Sequence, residues 1–308
     1  MKNITKSTYL KDKKVIFIVG PTAIGKTKVS IDLAKMLNTE IISSDSRQFY
    51  KELKIGSAPP SKEELSQVKH HFIHNLSVKD DYNAGQFEID AMNLIQKLHK
   101  IHDSIIVVGG SGLYVDAICK GLDTFPKISK ETRKNINDEY NRKGLTWLQK
   151  KIKKIDPELY SSNEIKNPQR LIRAVEVFEE SGEILSSLKS YKIKKRPFKI
   201  IKIGLNTERK KLYNNINKRV DTMIEEGLLQ EVKSLLKFKK NNALQTVGYK
   251  EIFLYLNNEC TLQKAIENIK QNTRRYAKRQ LTWFNKDKEI SWFEPQQIKE
   301  IEKFIAKL

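Results

Sequence analysis

The sequence predicts an α/β fold with a parallel β-sheet core, a helical insertion and a helical C-terminal region. Apolar, β-branched runs at 15–19 and 104–108 are typical of buried parallel strands. Helix-periodic segments separate these runs, and such alternation is typical of a parallel sheet. The stretch from Leu122 to about Lys189 is charged and helix-periodic, without a convincing strand. We therefore expect it to interrupt the sheet-forming core.

The predicted elements define three segments of the chain. Residues 1–121 form the first part of the core, residues 122–190 form the insertion, and residues 191–308 complete the core with a strand and helices. After Thr207 the chain reads as helical almost to its end, and Leu262–Phe284 forms one long helix. The predicted strands lie at 15–19, 40–44, 104–108 and 198–205. The buried stripe of the long helix is predicted to comprise Ile266, Ile269, Ala277 and Leu281.

The composition indicates the cellular compartment of this protein. The 308 residues are 39% hydrophobic, and no stretch approaches the roughly 20 apolar residues of a membrane helix. Met1–Lys14 is polar and basic, unlike a secretory signal. Cys119 and Cys260 lie far apart and form no CxxC motif, so neither a disulfide framework nor a zinc site is indicated. These features favour a cytoplasmic protein.

The charge balance points to a polyanionic partner. Lys and Arg number 58 against 37 Asp and Glu, a formal net charge of +21. Such an excess favours binding to nucleic acid. A Lys-rich, AT-biased proteome would also produce it, so the charge alone does not identify the partner.

A phosphate-binding loop follows the first strand. Residues 20–27 match G-x-x-x-x-G-K-[ST] in full, between a predicted strand and an amphipathic helix, which predicts a P-loop NTPase-like core. The glycines let the backbone wrap a phosphate, and amides 23–27 lie at a helix N-terminus that favours anions. Lys26 supplies a point charge, and Thr27 can bind Mg²⁺. The predicted phosphate-binding residues are Gly20, Pro21, Thr22, Ala23, Ile24, Gly25, Lys26 and Thr27.

The carboxylate expected of an ordinary NTPase is missing from the strand at 104–108, which ends in Gly109 and Gly110. Asp45 instead follows the second strand, at the edge of the sheet where α/β proteins bind ligands. It can accept a proton from a nucleophile, or it can simply cap a turn. The adjacent Arg47 and Gln48, which can hydrogen-bond bases or phosphate, favour the functional interpretation.

Five sequence blocks in order resemble the tRNA dimethylallyltransferase family, bacterial type. Together they extend from about residue 15 to residue 285 and are far more specific than the P-loop alone. The blocks are Gly20–Thr27 with Asp45-Ser46, Gly109–Tyr114, Asn167–Ala174, Gln245–Glu251 and Thr273–Phe284.

The resemblance implies a prenyl transfer reaction. The P-loop would hold the diphosphate of dimethylallyl diphosphate, with Lys26 and a Mg²⁺ ion on Thr27 neutralising the leaving group. Asp45 would accept the proton of N6 of adenosine 37 in tRNAs that read codons beginning with U. Arg219 would reach the diphosphate with its planar guanidinium group.

The resemblance also implies a set of tRNA contacts. The target adenine must leave its stack to reach a pocket, and the 122–190 insertion is expected to grip the anticodon stem and loop. Ser111 stands where the family more often has Thr, and Asn215 where it commonly has Arg. No obligate protein partner is implied, and a monomer is the simplest expectation. The residues matching tRNA-binding positions are Asp45, Ser46, Arg47, Gln48, Ser111, Arg133, Gln169, Arg170, Leu171, Ile172 and Arg173.

Two other functions remain open on the residues alone. An ATP-dependent P-loop kinase of a nucleoside or small molecule fits the P-loop and the α/β core. A non-catalytic RNA-binding protein with a relic P-loop fits the charge. His70 and His71 are interpreted as structural rather than metal-binding, because adjacent residues on a strand or helix point apart. Trp283 and Phe284 are expected to be core residues rather than base-stacking residues.

Overall fold

The computed structural model describes residues 13–190 and 192–308. Most of the N-terminal segment predicted to lack a signal sequence lies outside these residues. The described part forms two compact units. Unit 1 contains the described residues up to Lys120 together with Lys195–Leu308, and unit 2 contains Gly121–Lys194. These boundaries lie one and about four residues from those expected for the insertion.

Unit 1 is built on a parallel sheet whose strand order is β3-β2-β4-β1-β5-β6. The pairing is parallel throughout, so the described strands all end at the same edge of the sheet. The four predicted strands are present. Two further strands, β3 and β6, occupy the edges of the sheet and were not predicted. The strands are β1 (Lys14–Val19), β2 (Ile41–Ser43), β3 (His70–His71), β4 (Ser104–Gly109), β5 (Lys199–Leu205) and β6 (Ile290–Phe293).

Helices cover both faces of the sheet and build the insertion. Those of the chain up to the insertion are α1 (Lys26–Met36), α2 (Lys62–Gln67), α3 (Ala84–Leu98) and α4 (Gly112–Cys119). Those of unit 2 are α5 (Lys130–Ile155), α6 (Pro157–Ser161), α7 (Pro168–Ser181) and α8 (Leu185–Leu188). Those that follow are α9 (Arg209–Glu225), α10 (Leu228–Ser234), α11 (Tyr249–Leu256), α12 (Leu262–Phe284) and α13 (Ile298–Ala306).

Strand β1 shows why the apolar run forms a central strand. Val15, Phe17 and Val19 enter one apolar cluster, whereas Ile16 and Ile18 enter a second cluster on the other face. All five side chains are at most 1% exposed. A strand buried on both faces must be continuously apolar, as observed in parallel sheets.

Unit 2 has an apolar core of its own. Leu148 and Ile152 from α5 pack in one cluster with Leu171 and Val175 from α7. Gly144 interrupts α5 with a φ of 69°, in the left-handed region that favours glycine. The insertion therefore has the core expected of a folding unit rather than of an extended loop.

Helix α12 has the predicted bounds, but its buried stripe differs from the prediction at both ends. The buried positions are Ala265, Ile269, Ala277, Gln280 and Phe284, while Ile266 and Leu281 are only partly buried. The prediction failed at Gln280 because a polar side chain is buried there, with backbone partners that the sequence does not reveal.

The expectation for the two aromatic residues at the end of α12 is confirmed for one and wrong for the other. Phe284 is 3% exposed, whereas Trp283 is 40% exposed. The Trp283 Nε1–H group donates to Asp116 Oδ2 at 3.1 Å, and the ring lies so close to Gly112 that a Cβ there would approach within 2.4 Å. Among the described residues, no helix combines the length and apolar character needed to cross a membrane.

Candidate active site at the carboxyl ends of the strands

The P-loop begins between two strands. Val19 pairs with Gly109 on β4 and with Gly204 on β5, so the loop leaves the middle of the sheet. Gly20 has a φ of 142°, and a Cβ at this position would lie 2.5 Å from the Leu205 carbonyl oxygen. Only glycine allows this close approach. Gly25, with a φ of 98°, then leads the chain into α1.

Lys26 lies at the start of α1 and turns back toward the loop. Its Nζ atom donates to the carbonyl oxygens of Gly20 at 3.1 Å and Pro21 at 2.8 Å. The pKa of the Lys26 ammonium group is lowered to about 7, chiefly by burial; Asp45 opposes the shift, and the positive charge of Arg219 contributes to it. Burial therefore disfavours the charged form of Lys26, and an anion beside it would stabilise the charge.

Arg219 on α9 lies against the same loop. Its Nη1 atom is 3.4 Å from the Thr22 hydroxyl, and burial lowers its pKa. Asn215, one turn earlier, donates from Nδ2 to the Ala23 carbonyl oxygen at 3.4 Å. The asparagine thus supports the loop backbone, while the guanidinium group of Arg219 supplies the second cation.

Asp45 follows β2 and lines the same region. The backbone N–H of Arg47 donates to Asp45 Oδ1 at 2.9 Å, a local turn of the kind that aspartate favours. The backbone N–H of Asp45 donates to the Ser43 hydroxyl at 3.3 Å. One carboxylate oxygen therefore fixes the turn, and within the described part of the chain this leaves Oδ2 for a ligand. The turn-forming and functional interpretations of Asp45 are compatible.

The neighbours of Asp45 are fixed by their own contacts. Gln48 accepts from the Ser43 hydroxyl and donates to the Ala58 carbonyl oxygen, both at 3.0 Å. Arg47 Nη1 donates to the Asn242 carbonyl oxygen at 2.8 Å. The Ser46 backbone N–H donates to the Ser111 hydroxyl at 3.1 Å. The loops that follow β2 and β4 are therefore linked directly beside Asp45.

Two cavities adjoin at these residues. The first, of about 500 Å³, is lined by the P-loop from Thr22 to Lys28 and by Gln48. The second, of about 470 Å³, is lined by Arg47, Tyr276 and residues near Gly248. The residues that border both cavities are Thr22, Asp45, Ser57, Ala58, Arg219 and Met223. A molecule in each cavity would meet its neighbour at Asp45 and Arg219.

The loop at 54–58, whose residues line both cavities, is held by a residue that could not be identified from the sequence. Glu231 on α10 accepts the backbone N–H groups of Lys54, Ile55 and Gly56 at 2.8 to 3.0 Å. It also accepts the Tyr249 hydroxyl at 2.6 Å. A carboxylate satisfying four donors fixes the conformation of this loop.

Tyr276 and Gln280 on α12 were also missed, although both lie in a sequence block that was recognised. Tyr276 lines the second cavity, and burial raises its pKa to about 12. It is therefore a neutral phenol at physiological pH. The side chain of Gln280 contacts the backbone of the P-loop and of the loop after β4.

The adjacent histidines His70 and His71 are held by local partners, and His70 also lines the first cavity. His71 Nε2 bonds the Glu40 carboxylate, and His70 Nδ1 bonds the Val68 carbonyl oxygen at 2.8 Å. Within residues 13–190 and 192–308, no cluster of three or more His, Cys, Asp or Glu side chains is suitable for a metal ion.

The remaining predicted tRNA-binding residues belong to unit 2. Arg133 Nε and Arg173 Nη1 lie 3.2 and 3.4 Å from the Glu176 carboxylate, and Arg170 pairs with Glu164. Gln169 is exposed. The side chains of Leu171 and Ile172 are 0% and 4% exposed and pack in the core of this unit, so they shape helix α7 rather than face solvent.

The fold and the loop geometry together define a phosphate-binding P-loop protein of the α/β class. Its acidic residue, Asp45, follows β2, whereas β4, the partner of β1 where an ordinary NTPase has its carboxylate, ends in Gly109. The family model described as IPP transferase matches residues 48–287. The chain therefore belongs to the IPP transferase family.

Curated relatives and solved structures agree with this assignment. A tRNA dimethylallyltransferase of Christiangramia forsetii is 52% identical over 280 residues, covering 91% of this chain and 93% of the relative. One of Bacteroides fragilis is 47% identical, covering 94% and 96%. The tRNA isopentenylpyrophosphate transferase of Bacillus halodurans aligns with a TM-score of 0.71 and 38% identity over 96% of both chains. A eukaryotic dimethylallyltransferase acting on tRNA aligns with a TM-score of 0.78 and 26% identity, covering 96% and 80%.

Proposed function

We propose that this protein transfers the dimethylallyl group from dimethylallyl diphosphate to N6 of adenosine 37 in tRNAs that read codons beginning with U. The observation that carries the proposal is the meeting of two cavities at Asp45 and Arg219, with Lys26 and Thr27 of the P-loop lining the first cavity only. The first cavity suits a diphosphate ester. The second, beside Arg47 and Tyr276, suits a base drawn out of its stack.

The reaction exchanges one bond for another at the allylic carbon. The bond between N6 and this carbon forms while the bond from the carbon to the diphosphate oxygen breaks, and the diphosphate leaves. Asp45 Oδ2 accepts the N6 proton, which helps because the amine lone pair is delocalised into the adenine ring. General base catalysis of this kind contributes on the order of 10²- to 10⁴-fold in rate.

The negative charge of the leaving group grows in the first cavity. Lys26 and Arg219 lie there with lowered pKa values, so their positive charges are stabilised as this negative charge develops. The Thr27 hydroxyl and the diphosphate oxygens are the hard ligands that suit Mg²⁺, which usually keeps several waters and few protein ligands. When bound, Mg²⁺ would neutralise part of the diphosphate charge.

Labelled substrate tests both the reaction and the base. The protein is incubated with radiolabelled dimethylallyl diphosphate, Mg²⁺ and tRNA carrying unmodified A37. Asp45→Asn is compared with Asp81→Asn, the same charge change at an exposed site outside both cavities. We expect label in tRNA, a loss of roughly 100-fold or more in Asp45→Asn, and a rate near wild type in the control.

Each outcome has a clear consequence. Label in tRNA with an unaffected Asp45→Asn variant would keep the transfer reaction and discard Asp45 as the base. No label under any condition would overturn the proposed function. A parallel incubation with labelled ATP and nucleosides tests the kinase alternative, for which we expect no transfer.

A further inference from the structure

A buried amide on α12 connects two loops of the candidate active site. Gln280 is 4% exposed. Its Oε1 atom accepts the Thr22 backbone N–H at 2.8 Å, and its Nε2 atom donates to the Gly110 carbonyl oxygen at 2.9 Å. Because a carbonyl oxygen only accepts and an NH₂ group only donates, these two partners fix the orientation of the amide.

The loop after β4 lies directly against this side chain. A Cβ at Gly110 would lie 2.1 Å from Gln280 Nε2, so any side chain at position 110 would require the amide to move from its place between the two loops. The contact explains the second glycine of the Gly109-Gly110 pair in packing terms. The loop is shaped to receive the amide, so the bridge is a specific arrangement rather than an incidental contact.

The two bridged loops serve different parts of the proposed reaction: the P-loop binds the diphosphate, and the loop after β4 supports the segment that contains Asp45. Thr22 belongs to the P-loop, borders both cavities and contacts Arg219 through its hydroxyl. Gly110 precedes Ser111, whose hydroxyl accepts the backbone N–H of Ser46, the neighbour of Asp45. The Gln280 amide therefore spans from the diphosphate side of the site to the side that holds the proton acceptor.

We propose that Gln280 is a positioning residue that sets the separation between the allylic carbon and the adenine amine. It borders the first cavity, but both polar ends of its amide bind backbone, so it acts through the two loops. This role rests on the proposed function. A small displacement of the two reacting groups slows the reaction but does not abolish substrate binding. Loss of the bridge therefore affects kcat more strongly than KM.

Two substitutions of Gln280 separate this role from simple packing. Gln280→Met keeps the chain length but removes both hydrogen bonds. Gln280→Glu keeps an acceptor for Thr22 N–H, but its ionised form places a second oxygen against the Gly110 carbonyl. Its protonated form restores a donor there, and burial favours that form. Gln263→Met, at an exposed position of the same helix, is the matched control.

We expect Gln280→Met to lower kcat roughly 10- to 100-fold, with KM for each substrate changed less than about threefold. Gln280→Glu should regain activity relative to wild type as the pH falls from 8 to 6. Melting temperatures and steady-state rates of label transfer to tRNA are measured for all four proteins. The Gln263→Met control should match wild type.

Several outcomes would overturn the positioning role. These are unchanged kcat in Gln280→Met, a rise in KM for dimethylallyl diphosphate alone, or Gln280→Glu activity that is low at pH 8 and stays low at pH 6. Failure of both variants to fold would assign Gln280 to stability instead. Absence of label with the wild-type protein would refute the proposed function itself, which is a different result from any of these.

Discussion

Binding of a diphosphate to the P-loop should draw a proton from solvent, because Lys26 is largely neutral above pH 7 in the free protein. Burial among the P-loop carbonyl groups and the nearby Arg219 guanidinium lower the pKa of Lys26 to about 7. A diphosphate adds negative charge beside Nζ, which raises this pKa toward the ordinary lysine value. The complex therefore holds more protons than the free protein does.

The size of the effect follows from the lowered pKa. At pH 8 only about one tenth of the free protein carries the Lys26 proton, so binding takes up about 0.9 proton. At pH 6 about nine tenths is already protonated, and the uptake by Lys26 falls to about 0.1 proton. Linkage also gives the sign for affinity. The dissociation constant should rise as the pH increases above 7, by at most about tenfold per pH unit.

Titration calorimetry measures this uptake directly. Dimethylallyl diphosphate is titrated into the protein at pH 8 in two buffers of different ionisation enthalpy, and the difference in observed heat gives the number of protons taken up. At pH 8 the diphosphate is ionised, since phosphate groups of this kind have a last pKa of about 6. Lys26→Arg is the control, because arginine stays protonated and should bind with no uptake.

Three results would refute the reasoning. The first is equal proton uptake at pH 6 and pH 8, and the second is uptake at pH 8 that persists in Lys26→Arg. The third is an affinity that does not weaken between pH 7 and pH 8. The first would mean that the pKa of Lys26 does not lie between pH 6 and pH 8, the second would assign the proton uptake to another group, and the third would mean that Lys26 is already charged at pH 8 in the free protein.

Three further predictions address the loops and the RNA. Gly110→Ala should lower kcat at least as much as loss of the bridge does, because its Cβ would meet Gln280 Nε2 at 2.1 Å; steady-state rates of prenyl transfer measure this. Glu231→Gln should lower the free energy of unfolding by about 1–3 kcal/mol, since a backbone N–H such as that of Gly56 loses its acceptor; urea denaturation measures the loss. Affinity for tRNA should fall steeply with salt, with a log–log slope of about −0.7 to −0.9 per phosphate contacted; a flat dependence would contradict binding through the basic surface.

The central sheet could be predicted because its signals are local. The apolar run of β1 and the P-loop that follows it identify the strand, the turn and the helix within about fifteen residues. Strands β3 and β6 lack such signals. The first is a two-residue strand, His70–His71, defined only by its pairing with Ile41 and Ile42. The second, Ile290–Phe293, is short and lies beside β5 at the sheet edge.

The same distinction applies to the site. Gly20–Thr27 and Asp45 were found because each follows a recognisable strand, and the structure brings them to one edge of the sheet. Gln280 could not be found, because its partner Thr22 lies 258 residues away in the chain. Glu231 is similar, since its backbone partners are 175 to 177 residues away. From the sequence alone, a polar side chain on a charged helix is expected to be exposed. Only the folded structure shows which distant groups it contacts.

The electrostatics of the P-loop indicate which state of the reaction the site favours. Lys26 and Arg219 each have a lowered pKa, and the charge of Arg219 contributes to the shift at Lys26. Two neighbouring cations in a partly buried site are unfavourable until an anion separates them. The anion that separates them best is the one with the most charge on its oxygens, which is the departing diphosphate rather than the ester. In the proposed reaction the stabilisation would grow as the C–O bond breaks, so it would lower the barrier to transfer instead of only tightening substrate binding.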